Sequence, residues 1–162
     1  MFFIKILLME KLQEGSVAPL FTGTDQNGNS ISLEGFKGKK VILYFYPKDN
    51  TPGCTAQACN LRDNHSVLLS KGFVVIGVSA DSVASHKKFE NKFELPFPLV
   101  ADTDKVISEE YGVWGKKKFL GKEYMGITRT TFLIDEKGMI KKIIDKPNTN
   151  NHTEEVLAAW EA

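Results

Sequence analysis

Cysteine is nearly absent from this chain. Only 2 of its 162 residues are cysteine, and both fall in the stretch TPGCTAQACN, Thr51 to Asn60, five positions apart. So sparse a pair excludes a disulfide-stapled scaffold, which needs several bridges. Histidine is scarce as well. His65, His86 and His152 are isolated from one another, so no finger-like spacing completes a zinc set with the two thiols. A zinc site is therefore not expected. An excess of one charge sign is also missing: 21 basic against 20 acidic residues leave a net charge of +1. That balance gives no electrostatic footprint for nucleic acid. The short clusters Lys37–Lys40 and Lys116–Lys118 read as solvated loop charges.

Long apolar runs are lacking too, and no segment approaches the roughly 20 residues of a membrane span. The opening MFFIKILLME is short and interrupted by Lys5. It has no basic region ahead of it and no small-residue cleavage site after it. Residues 1–9 therefore read as an extension, with Met9 a plausible soluble start, and the expected location is cytoplasmic with no membrane partner. There, a cysteine pair points to catalysis or metal binding before a structural staple.

What is present is ordinary for a globular protein: 42% hydrophobic and 25% charged residues, without repeats or low-complexity tracts. Residues 10–162 are expected to form one domain. LFTGTDQNGNSISLEGF carries an Asn27-Gly28 turn between alternating stretches, the mark of a hairpin. KKVILYFYP is a compact apolar run ended by Pro47, consistent with a buried central strand. A helix is expected from about Pro52 to Ser70, a second buried strand in GFVVIGVSAD, and a helix over SVASHKKFENKF with Ser82 as its cap. FPLVAD reads as a short strand, DKVISEEYGV as a short helix, and RTTFLIDEKGMIKKIID as a hairpin around Gly138. TEEVLAAWEA closes the chain as a helix capped by Thr153. This order predicts an α/β fold of thioredoxin-like type: a central mixed sheet flanked by helices, with a hairpin added in front.

The thiol pair carries the chemistry. Thr51 precedes a proline, which drives its backbone into the extended region required of a helix N-cap. Pro52 then takes the first helical position, where its missing N–H costs nothing. Gly53 lets a group approach the backbone closely. Cys54 falls in the first turn, among unpaired N–H groups at the positive end of the helix dipole, an environment that favours a nucleophilic thiolate. A passive core role is the competing reading, because Cys54 shares a helical stripe with Ala58, Leu61 and Leu68. Cys59 lies about 140° around the helix and about 7.5 Å along it. That is beyond the roughly 7 Å Cα separation a disulfide tolerates. A bond between the two requires the first turns to unwind, while a passive Cys59 stays open as an alternative. His65 lies near the Cys54 stripe and reads as an ordinary histidine. Tyr44 and Tyr46 read as strand packing, with Tyr46 also a candidate pocket residue.

The run YFYPKDNTPGCTAQACNLRD resembles the peroxiredoxin active-site pattern Pro-x-x-x-Thr-x-x-Cys, met here by Pro47, Thr51 and Cys54. With Cys59, YGVWGKKK and GITRTTFLID, the chain is similar to the bacterioferritin comigratory protein, or peroxiredoxin Q, branch from about Glu10 to Trp160. The resemblance implies a thiol peroxidase acting on hydrogen peroxide and organic hydroperoxides. Cys54 would be the peroxidatic cysteine, forming a sulfenic acid. Thr51 would hydrogen-bond the peroxide, Pro47 would shield the site, and Arg129 would stabilise the thiolate and the leaving oxygen. Without the resemblance, Arg129 reads only as a solvated arginine at a strand start. Cys59 would be the resolving cysteine, giving a Cys54–Cys59 disulfide that a thioredoxin-type dithiol reduces. The branch also implies a monomer that needs no metal, flavin or haem cofactor. Two other readings of the dithiol remain: a thiol–disulfide oxidoreductase acting on proteins, and a redox-sensing binding module.

Overall fold

The structure, a computed structural model, describes residues 12–162. The expected extension over residues 1–9 lies outside the described residues. Strand β3 (Lys40–Phe45) is the centre of a five-stranded sheet. It runs parallel to β4 (Phe73–Ser79), which runs parallel to β5 (Leu99–Ala101). On its other side β3 is antiparallel to β8 (Thr130–Ile134), and β8 to β9 (Ile140–Ile144). Period-two alternation divides β3 between two cores. Val41, Leu43 and Phe45 pack with Phe21, Ile31, Leu33, Ile107 and Tyr111. Ile42, Tyr44 and Tyr46 face the opposite core, with Cys54, Ala58, Leu61, Leu68 and Phe89. Both faces are covered, which is why the strand reads as one continuous apolar run.

The hairpin ahead of the sheet is present as β1 (Thr22–Thr24) and β2 (Ser30–Ser32), a separate two-stranded sheet. The Asp25 carboxylate accepts from the N–H groups of Asn27 and Asn29, and Gly28 supplies the positive φ of 78° that the turn requires. The helix expected from Pro52 to Ser70 is two helices, α1 (Pro52–Asp63) and α2 (His65–Ser70), parted at Asn64. There the backbone leaves the helical region (φ −107°, ψ 11°) and the Asn64 side chain donates to the Asn60 carbonyl, competing with the helix ladder. Ser82 caps α3 (Val83–Phe93) as expected, accepting from Ser85 N–H at 3.1 Å. The short helix α4 (Val106–Glu110) and the closing α5 (His152–Glu161) complete the set. Thr153 does not cap α5, since Asn151 holds the cap position and Thr153 lies inside the helix.

One element departs from the expected order. Trp114–Phe119 and Lys122–Ile127 form β6 and β7, a two-stranded sheet of their own, so the lysine cluster 116–118 lies on a strand and not in a loop. Among the described residues, no helix is long and apolar enough to cross a membrane.

Candidate active site

The chain between β3 and α1 builds the site. Strand β3 ends at Phe45, and Pro47 follows, half-buried. Thr51 adopts the extended backbone its proline neighbour imposes (φ −96°, ψ 157°), and Pro52 opens α1. The expected side-chain cap is not made. Thr51 Oγ1 donates to the Lys48 carbonyl at 2.8 Å, closing the turn ahead of the helix, while its own carbonyl accepts from Thr55 N–H at 2.8 Å. The hydroxyl therefore does not occupy the first-turn N–H groups beside Cys54.

Cys54 and Cys59 are both free thiols; Cys54 is only 1% exposed and Cys59 is half-buried. Across 75 residues of sequence, Arg129 comes from just before β8 to donate from Nη2 to Cys54 Sγ at 3.3 Å. Its Nη1 donates to Gln57 Oε1 at 2.7 Å, so one guanidinium clamps the thiol and the next turn of the same helix. Gly53 makes room: a Cβ there would lie 3.1 Å from Arg129 Nη2. The close approach anticipated at Gly53 is thus by the guanidinium. A fixed cation against sulfur favours negative charge there, and it also faces any oxygen on which charge develops beside the sulfur.

The loop carrying Asp49 and Thr51 is anchored from below. Asp49 accepts from Tyr46 Oη at 2.6 Å and Ser85 Oγ at 2.8 Å, and pairs with His86 Nδ1 at 2.7 Å. His86 Nε2 donates to the Val100 carbonyl at 3.0 Å, so the ring is held at both ends. Asp49 N–H donates to Asp81 Oδ2, which Ser79 Oγ also contacts. Tyr46, with its hydroxyl committed to Asp49, is therefore part of this anchor and 1% exposed, not an open pocket wall. Asp49, Asp81 and His86 are the one group among the described residues with three potential metal ligands close together. Hydrogen bonds with their neighbours already account for these atoms, so the cluster reads as structural. His65 stands apart, half-buried with its ring 6.0 Å from Phe97, and burial lowers its pKa.

Sequence reasoning missed Gln57, the Asp49–His86 pair and Lys117. Lys117 Nζ donates to the Ile127 carbonyl at 2.8 Å, two residues from Arg129. Burial lowers its pKa, Arg129 adds to that effect, and Cys54 opposes it. No local pattern signals these pairings, because in each the two bonded groups lie on different elements.

Tyr44 adds a measurable feature. Its ring stacks on Tyr46 at 5.4 Å and it is 0% exposed, yet its hydroxyl has no hydrogen-bond partner among the described residues. A buried unpaired hydroxyl costs about 1–3 kcal/mol, and phenylalanine keeps the ring without it. Tyr44→Phe is expected to stabilise the reduced protein by about 1 kcal/mol. Denaturant unfolding followed by circular dichroism measures the effect, and a lowered midpoint would contradict it.

Residues 15–143 match the AhpC/TSA family. Peroxiredoxin Bcp of Escherichia coli K12 is 46% identical, covering 92% of this chain and 96% of its own. Peroxiredoxin Bcp of Bacillus subtilis 168 is 44% identical over 90% of this chain and 93% of its own. The solved bacterioferritin comigratory protein of Xanthomonas campestris, described for alkyl peroxide reduction activity, superposes with a TM-score of 0.83. It is 32% identical, with 90% of this chain and 97% of that one covered. A thiol under a guanidinium at the start of a helix, on a thioredoxin-type sheet, and likeness of this extent make the same statement: the chain belongs to the AhpC/TSA family and is a peroxiredoxin, a thiol-dependent peroxidase.

Proposed function

We propose that Cys54 is the peroxidatic nucleophile, with Arg129, Thr51 and Pro47 as its catalytic surroundings and Cys59 as the resolving cysteine. The observation that carries the reading is the 3.3 Å contact between Arg129 Nη2 and Cys54 Sγ. In the first step the Cys54 thiolate attacks the terminal oxygen of a hydroperoxide. The S–O bond forms as the O–O bond breaks, and the departing alkoxide or hydroxide takes a proton to leave as alcohol or water. Arg129 faces both the sulfur and the oxygen gaining charge. The Thr51 hydroxyl turns from Lys48 to the peroxide, and Pro47 limits water at the sulfur.

In the second step Cys59 attacks the Cys54 sulfenic acid. The disulfide forms, the S–O bond breaks, and the oxygen leaves as water with the protons of the sulfenic acid and the Cys59 thiol. The continuous helix Pro52–Asp63 holds the thiols too far apart for this, so its first turns unwind. A thioredoxin-type dithiol then restores both thiols by exchange. Hydrogen peroxide and organic hydroperoxides are the substrates, the latter in keeping with the alkyl peroxide activity of the Xanthomonas relative. The enzyme works as a cytoplasmic monomer, a single domain over residues 10–162, with no metal or organic cofactor.

Cys59→Ser separates the two steps. After one equivalent of hydrogen peroxide it is expected to accumulate sulfenic acid at Cys54, trapped by a dimedone adduct in mass spectrometry. It forms no intramolecular disulfide, and its turnover with thioredoxin is lost. Undiminished recycling by thioredoxin in this variant would remove Cys59 from the mechanism. A purely protein-directed oxidoreductase would instead show no thiol-dependent consumption of peroxide by the wild type.

A further inference from the structure

Large apolar side chains are displayed to water on the β6–β7 hairpin. Leu120 is 87% exposed, Phe119 67%, Met125 51% and Tyr124 47%. They account for four of the nine large exposed hydrophobics among the described residues, concentrated in fourteen residues of chain. Single exposed apolar residues need no explanation, whereas a cluster on one protruding element does.

The backbone at the apex sharpens the point. The turn has two residues, Leu120 and Gly121, with φ of 51° and 79°. Positive φ at both central positions is the type I′ hairpin turn, whose first position favours asparagine, aspartate or glycine. A leucine there is strained and exposed at once, so neither local conformation nor packing among the described residues accounts for it.

The charges around this tip select a partner. Cross-strand pairing sets Phe119 against Lys122 and Lys117 against Tyr124, so two aromatics and two lysines share one face of the hairpin. The opposite face pairs Lys116 with Met125 and Lys118 with Glu123. With Lys117 committed to the Ile127 carbonyl, Lys116, Lys118 and Lys122 stand against one glutamate on a hairpin of a chain whose total charge is +1. Aromatic and aliphatic side chains at an apex, bordered by lysines, have the composition of an element that enters the headgroup region of an anionic bilayer. We infer, against the sequence-based expectation of no membrane partner, that the tip of the β6–β7 hairpin is a peripheral docking site for anionic lipid surfaces. The root of the same hairpin adjoins the catalytic centre, through Lys117 to the Ile127 carbonyl and two residues onward to Arg129. Docking at the tip therefore holds the enzyme with this side toward the bilayer. The inference stands independently of the roles proposed for the two cysteines.

Vesicle co-sedimentation tests it, with full-length reduced protein and two compositions: phosphatidylglycerol mixed with phosphatidylcholine, and phosphatidylcholine alone. The wild type is expected to sediment with the anionic vesicles, less as salt is raised, and only weakly with the neutral ones. Leu120→Asn is the decisive variant, because asparagine suits the turn and removes the apolar apex. It is expected to keep its fold and its rate with hydrogen peroxide while its partition coefficient drops at least about tenfold, the factor implied by returning one leucine side chain to water. Lys118→Glu together with Lys122→Glu is expected to abolish the preference for anionic vesicles. Three results overturn the inference: no sedimentation of the wild type, equal binding by Leu120→Asn, or a concentration-dependent dimer that Leu120→Asn dissociates. The last would give the patch to a second copy of the chain.

Discussion

Cys54→Ser is expected to lose all thiol-dependent peroxide consumption, falling to the uncatalysed background, with no dimedone-reactive species formed. A serine hydroxyl is not appreciably ionised at neutral pH, and the positive surroundings cannot make it a nucleophile comparable to sulfur. The substitution changes little else. The side chain occupies the same small space in the core shared with Ala58 and Tyr44, and Arg129 Nη2 can donate to the new hydroxyl as it does to Sγ. The fold should therefore persist, as circular dichroism would verify, and the loss is chemical. Steady-state consumption of hydrogen peroxide with thioredoxin and its reductase is the measurement. Residual turnover above background would move the nucleophile elsewhere in the chain, with Cys59 the only other thiol.

Arg129→Met is expected to be nearly as damaging, lowering the second-order rate constant with hydrogen peroxide by about 10²–10³, the scale for one oriented donor at a developing charge. Both ends of the guanidinium are occupied, one by Cys54 Sγ and one by Gln57 Oε1. Methionine fills a similar volume but supplies neither bond. The variant also leaves Gln57 without its partner, and the Nε2 of that buried amide already has none among the described residues. Stability should therefore fall by about 1–3 kcal/mol, visible in denaturant unfolding. Lysine is a poor replacement, because one ammonium cannot reproduce the planar fork that reaches helix and thiol together. Arg129→Lys is accordingly expected to recover only a small part of the rate. A loss below tenfold in the methionine variant would reduce Arg129 to a structural support of α1.

How the site reads from sequence follows the range of the interactions that build it. The N-terminus of α1 was legible because its cause is local: a proline fixes the backbone of Thr51, and the helix begins where proline is tolerated. The Ser82 cap and the turns at Gly28 and Gly138 are equally local. The break at Asn64 went unseen, since the apolar stripe continues through it to Leu68. The lysine-rich strand β6 went unseen for a different reason. Charged residues carry no period-two apolar signal, and the segment becomes a strand by pairing with β7.

By itself the sequence determined the alternation of strands and helices, the placement of Cys54 in a first helical turn, and the geometric bar to a disulfide within that helix. These follow from backbone preferences and helix dimensions spanning a few residues. The meeting of Arg129 with Cys54 was implied by the family resemblance but by no local pattern around either residue. Tertiary structure alone decided that Gln57 completes the clamp and that His86 anchors Asp49 from 37 residues away. It also sent the Thr51 hydroxyl to Lys48 in place of the helix. Such contacts depend on where whole elements pack against one another, because burying a charged or polar side chain demands a partner and the sheet brings that partner from a distant part of the chain.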